Sequence, residues 1–211
     1  MWHLLLDLLA PAGCWACDGH VPGAHPLCAG CAAELPWLDP GQDGGPGAAL
    51  GRWWAPLDFA GPARDLVHAL KFSAAAGIAP YLASQMALRR PQGLFAPGVT
   101  LVPVPAHPLR RRRRGFDHAD ALAVALGVRL GLPVARVLRR DARPGARQRG
   151  LGRGSRLAGA ALGVRAAGLA PQRCVLIDDV RTTGATLEAC AVVLRATGAL
   201  RVDAATFARV P

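Results

Sequence analysis

The chain has 211 residues, is 52% hydrophobic and carries a formal net charge of +11, which suits one α/β domain with a small attachment and favours polyanionic partners such as nucleic acid, pyrophosphate or an acidic protein. All but one of its 25 basic residues are arginine, in a background rich in Ala, Gly and Pro, so the charge reflects codon bias as much as binding. No apolar run approaches the roughly 20 residues of a membrane-crossing helix, so no membrane insertion is expected.

Trp2–Leu9 reads as one or two helical turns. It lacks a basic leader, contains Asp7 and is too short for a signal peptide, so a cytoplasmic location is expected. In that compartment cysteines serve as metal ligands more readily than as disulfides. Cys14-Trp-Ala-Cys17 and Cys28-Ala-Gly-Cys31 form two C-x-x-C knuckles. Four thiolates complete a tetrahedral Zn²⁺ site and leave no open position, which makes the zinc structural. His20 and His25 lie between the knuckles as alternative ligands, and Cys28–Leu35 is expected to continue as a short helix. Residues 1–36 are therefore assigned to a zinc-ribbon element, 37–51 to a Pro- and Gly-rich linker, and 52–211 to the main domain.

Within that domain Trp53–Phe59 predicts a strand. Gly61–Lys71 predicts a helix, with Ala63, Leu66, Val67 and Leu70 on one face. Lys71 is the one lysine of the chain. It is either a position that needs a compact ammonium or a lysine that drift has not replaced. Gly77–Arg90 predicts a second helix, Gln92–Gly98 a turn, and Val99–Pro105 the first strand of the core sheet. Pro103 and Pro105 force the chain to leave the sheet there.

Arg110–Arg114, Gly115 and Phe116 follow, ahead of a helix over Asp117–Leu130. The arginine run has three readings: a polyphosphate pocket, a nucleic-acid contact or a solvated basic face. Its place beyond a strand's carboxyl end favours the pocket. Pro133–Leu138 predicts a strand, the polar stretch Arg139–Gly154 a lid or a disordered segment, Leu157–Leu162 a helical turn, and Leu200–Ala208 a strand that closes the sheet. Cys174 and Cys190 read as small core hydrophobes.

The most informative stretch is Cys174–Thr186, CVLIDDVRTTGAT. Cys174–Ile177 reads as a strand buried on both faces, with Asp178 and Asp179 at its expected end. Thr182, Thr183, Gly184, Ala185 and Thr186 then open a helix over Leu187–Ala196. Free N–H groups and the helix dipole at such a turn cradle a phosphate. Two carboxylates beside it accept hydrogen bonds from a pair of hydroxyls, which suits a ribose phosphate.

This stretch resembles the 5-phosphoribosyl-1-pyrophosphate (PRPP) fingerprint of type I phosphoribosyltransferases. The resemblance implies that Asp178 and Asp179 hold the ribose hydroxyls and that Thr182–Thr186 hold the 5′-phosphate. Taken with the four cysteines, Ala69–Phe72, Val102–Pro105 through Arg114, Gly115 and Phe116, and Gln148 with Arg156, the chain resembles the competence-protein-F (ComF-like) family. That family joins a zinc ribbon to a type I phosphoribosyltransferase domain, so an α/β fold with a mostly parallel sheet flanked by helices is implied. Also implied are Arg114 and Gly115 on the leaving pyrophosphate, Lys71 on phosphate, a lid carrying Gln148 and Arg156, and Mg²⁺ arriving with PRPP. The family is linked to uptake and processing of transforming DNA, which adds single-stranded DNA or DNA-uptake proteins as partners. The chain departs from the family at Leu109, Asp117-His118 and Pro144. Three functions follow as expectations: a phosphoribosyltransferase acting on a nitrogen nucleophile, a non-catalytic competence protein that keeps the pocket, or a zinc-ribbon nucleic-acid-binding module. No segment reads a particular acceptor base.

Overall fold

In the computed structural model, Cys174 to Ile177 are all at most 1% exposed, because their strand has neighbours on both edges and helices on both faces. The model describes residues 13–21, 25–39, 41–42, 44–72, 78–109, 116–141 and 162–211. Trp2–Leu9, the run Arg110–Arg114 with Gly115, and the lid residues Gln148 and Arg156 lie outside the described residues.

In chain order the elements are α1 (Ala29–Ala33), β1 (Trp53–Trp54), β2 (Leu57–Asp58), α2 (Gly61–Phe72), α3 (Ile78–Arg89), β3 (Thr100–Pro103), α4 (His118–Leu130), β4 (Leu138–Arg140), β5 (Val164–Ala166), β6 (Arg173–Arg181), α5 (Ala185–Ala196) and β7 (Arg201–Arg209). The main sheet runs β1-β7-β6-β3, with β2 also paired to β7, and every pairing in it is parallel. The expected architecture, a mixed α/β fold with a mainly parallel sheet flanked by helices, is the one observed.

Side-chain alternation along the strands sorts the core into two layers. Val175 and Ile177 pack in one cluster with Leu66 and Leu70 of α2, Leu82 and Met86 of α3, and Leu122 and Leu126 of α4. Cys174 and Leu176 pack in the other with Leu187, Cys190 and Leu194 of α5. Each such buried aliphatic side chain contributes about 1.5–3 kcal/mol relative to exposure.

Several boundaries differ from the sequence expectation. Trp53–Phe59 is not one strand. It touches β7 twice, at Trp53↔Ala204 and Leu57↔Ala208, with Ala55 and Pro56 between the two contacts. Pro56 has no N–H to give a ladder. Pro133–Leu138 makes one parallel bridge, Val134↔Leu101, and then leaves the sheet. Leu138 opens a separate antiparallel ribbon of β4 with β5 and buries itself against the α5 layer. The last strand does not close the sheet. Val202 through Ala208 are buried throughout, as a strand between two neighbours requires.

The stretch expected to be a linker lies against the sheet. Trp37 bridges Leu57 and Gly44 bridges Trp53. Glu188 of α5 accepts the N–H groups of Ala49 (2.5 Å) and Leu50 (3.3 Å). Cys14, Val21, Leu27 and Leu35 belong to the same buried cluster as α2, α3 and α4. Among the described residues no helix is long and apolar enough to cross a membrane.

Candidate functional site

The two acids stand inside β6 and not beyond its end. Strand pairing continues through Asp178↔Thr206, Val180↔Ala208 and Arg181↔Arg209, so β7 holds the backbone extended past both carboxylates. The alternation of the strand then separates them. Asp179 falls on the face of α2 and α4, and Asp178 on the face of α5.

Asp179 is 4% exposed. Its Oδ2 lies 3.0 Å from Lys71 Nζ at the end of α2 and 3.4 Å from His118 Nε2 at the start of α4. That oxygen is fully buried and meets Lys71 as an ion pair without hydrogen-bond alignment. Asp178 is partly buried and accepts the Asp179 N–H through Oδ1 at 2.9 Å. Burial, reinforced by the negative charge of Asp179, holds the Asp178 carboxyl well above the usual carboxylate range; the Asp179 N–H and Lys71 offset this in part.

Beyond β6 the chain turns into α5 through Gly184, whose φ of 80° is left-handed and therefore suits glycine. Thr183 Oγ1 accepts the Ala185 N–H at 3.3 Å. The Arg181 guanidinium lies across this turn, with its Cζ 3.7 Å from the centre of the Trp53 ring. The turn thus presents a helix amino end of positive potential with a stacked cation beside it.

A cleft of ≈1050 Å³ opens beyond the carboxyl end of β3, lined among others by Pro103, Pro105, Phe116, Asp117, Arg136, Arg139 and Arg140. Asp117 caps α4 by accepting the Asp120 N–H, and also ties down the Ala106 N–H at 3.2 Å. The cleft lies beside the acid pair and does not include it.

The four N-terminal cysteines are brought together, with Sγ atoms all within 4.8 Å of one another. Cys17 Sγ and Cys28 Sγ are 3.8 Å apart. Sulfurs held tetrahedrally at about 2.3 Å from one zinc ion would be separated by about 3.8 Å, whereas a disulfide needs about 2.05 Å. The donor set therefore fits zinc. Burial pushes the Cys14 thiol up, but N–H groups of Cys28, Ala16 and Cys17 outweigh it and lower the pKa to about 6. Within the same cluster burial and the neighbouring thiols push the Cys31 thiol well up.

Of the residues singled out in the sequence, the fold brings Lys71, Asp178 and Asp179 together and puts Thr182–Thr186 at the amino end of α5. His118 and Arg181 were missed as site residues. His118 looks like one polar residue opening an apolar helix, and only the packing of α4 on β6 turns it toward Asp179. For Arg181 the sequence offers one signal, its position within the fingerprint.

No protein-family model matches the chain, and no curated protein matches it. Among solved structures the chain is similar to an orotate phosphoribosyltransferase from Aeropyrum pernix, with 20% identity over 78% of this chain and 71% of that one, and a TM-score of 0.36. It is also similar to a purine phosphoribosyltransferase from Pyrococcus horikoshii Ot3, with 20% identity over 64% of this chain and 72% of that one, and a TM-score of 0.32.

Proposed function

We propose that this protein binds a phosphoribosyl ligand, PRPP foremost, and acts as a phosphoribosyltransferase of the ComF-like type. The observation that supports it best is the unit of β6, the Thr182–Thr186 turn and α5, which sets two carboxylates next to a helix amino end of the kind that favours an anion. Asp178 and Asp179 accept hydrogen bonds from the ribose 2′- and 3′-hydroxyls, and the turn holds the 5′-phosphate. As the bond from C1 to the pyrophosphate oxygen breaks, positive charge grows on the ribose, and the acid pair stabilises it. Lys71 fixes Asp179 and stands ready beside the phosphates, while Arg114 and Gly115 receive the leaving pyrophosphate.

His118, Asp178 and Asp179 each bring a ligand atom within 4.8 Å of the others, but the Lys71 ammonium already rests on Asp179 Oδ2. These side chains alone do not fit a Mg²⁺ cage. Mg²⁺ belongs in this reading to the ligand's own phosphates. The zinc is structural, the location cytoplasmic, and the link to transforming DNA follows from the family reading.

Calorimetric titration of the full chain with PRPP and Mg²⁺ tests the proposal. Saturable binding at one site is expected, lost in a folded Asp178→Asn/Asp179→Asn variant. Wild-type protein that takes up no PRPP would overturn it. Pyrophosphate release in the presence of nitrogenous bases separates a transferase from a binding protein that keeps the pocket.

A further inference from the structure

We infer that Arg181 reads the phosphate: its guanidinium, stacked on Trp53 beside the Thr182–Thr186 turn, supplies the charged, forked donor that selects a phosphoryl dianion at the amino end of α5. The inference deepens the phosphoribosyl reading and rests on it.

The first support is what Arg181 lacks. Its cross-strand neighbour Arg209 is paired with Asp58 at 3.1 Å. Among the described residues no carboxylate pairs with Arg181. Its Nη1 reaches only the Thr182 carbonyl, at 3.5 Å, and its Nε is fully buried with no acceptor. A buried donor without an acceptor costs free energy, and so does a cation placed beside the positive end of a helix. An anion on the turn removes the second cost and gives the guanidinium an acceptor that no described side chain supplies.

The second support is how rigidly the group is held. Trp53 lies 3.7 Å beneath it, and stacking fixes the plane of a guanidinium while leaving its edge free to donate. Behind Trp53 the backbone of Gly44 comes so close that a Cβ there would fall 1.7 Å from the ring. On the turn, a Cβ at Gly184 would stand 3.0 Å from Arg181 Nε. Two glycines thus leave the room in which ring and guanidinium are set. A flat fork of N–H groups matches two phosphate oxygens at once, whereas a neutral sugar offers it nothing comparable.

The test is calorimetric titration of the full chain with ribose 5-phosphate and with ribose, for wild type, Arg181→Met and Arg181→Lys, with thermal unfolding as a check on folding. The expected result is a loss of about tenfold or more in ribose 5-phosphate affinity for the methionine variant. The lysine variant, which keeps the charge without the fork, should fall between the two. Should the methionine variant not fold, Arg181→Gln is the neutral comparator. Equal affinity across the series overturns the inference. So does a lysine variant no better than the methionine one, since that pattern marks Arg181 as a support for the turn. Either result leaves PRPP binding standing, whereas a wild type that binds neither ribose 5-phosphate nor PRPP overturns both readings.

Discussion

Lys71 Nζ lies 3.0 Å from Asp179 Oδ2, which joins the end of α2 to the middle of the sheet through one ion pair. The carboxylate is almost fully enclosed, so removing Lys71 leaves a buried charge with only His118 of the described residues, 3.4 Å away, to face it. Lys71→Met is expected to cost about 3 kcal/mol of stability, read from urea unfolding. Adding Asp179→Asn should recover more than half of the loss, because the stranded charge is then gone. A double variant that is no better than the single one would show that Lys71 acts through its packing.

Asp178 makes a prediction about pH. Its carboxyl sits above its ordinary value of 3.8 through burial and the charge of Asp179. A carboxyl whose pKa is raised by folding stabilises the protein while protonated, and that contribution is lost as pH rises through the folded value. Asp178→Asn keeps an oxygen for the Asp179 N–H and carries no charge. The variant should therefore be at least as stable as wild type at pH 7 to 8, by unfolding titration. That advantage should shrink to nothing near pH 4. A variant less stable than wild type at pH 8 would contradict the sign.

Proton linkage gives an independent check on the same group. Ribose hydroxyls that donate to Asp178 favour its ionised form. Binding of PRPP below neutral pH should then release protons, measured as a dependence of the calorimetric enthalpy on the buffer's ionisation enthalpy. No dependence on buffer, at a pH where wild type binds, would remove the hydroxyl contact from Asp178.

The cysteine cluster predicts one zinc per chain, held by Cys14, Cys17, Cys28 and Cys31. Cys14 is fully buried and shares its cluster with Leu66 and Leu122, so the metal supports the main core. Chelation is expected to lower the unfolding midpoint by about 5 °C or more. Cys17→Ser should reduce metal content with a similar shift. Metal-free protein with four freely titrating thiols would refute the assignment.

Gly44→Ala tests the seat of Trp53. The new Cβ falls on the indole ring, and the ring or the strand must move. A loss of about 1–3 kcal/mol is expected, with a changed near-ultraviolet dichroism of the tryptophans. An unchanged spectrum and stability would mean that this stretch yields freely.

Much of this arrangement was legible in the sequence, for physical reasons. The apolar run Cys174–Ile177 and the Thr-Gly turn carry local signals, and Ala63, Leu66, Val67 and Leu70 mark the buried face of α2. Asp178 and Asp179 are expected at the strand's end because the apolar run stops at Ile177; pairing to β7 keeps them in it. Trp53–Phe59 looked continuous because the effect of Pro56 depends on which neighbour the strand has. The contact of His118 with Asp179 and the stack of Arg181 on Trp53 arise from elements far apart in the chain. No local pattern encodes such meetings, so the places of His118 and Arg181 beside the acid pair and its turn became visible only in the fold.

The position of β7 sets the order in which the molecule can be assembled. Among the described residues β1 and β2 have single antiparallel bridges to Gly44 and Trp37 but no sheet strand other than β7 beside them, and β6 has only β3 until β7 arrives. On the ribosome β1 and β2 must wait for their parallel partner until residues 201–209 have been made. Sheet formation is therefore a late, long-range event. Until it happens, the Trp53 ring has no strand to hold it beneath Arg181, and neither Asp178 nor Asp179 has the neighbour that keeps its backbone extended. The acid pair and the turn beside it are consequently among the last parts of this protein to take shape.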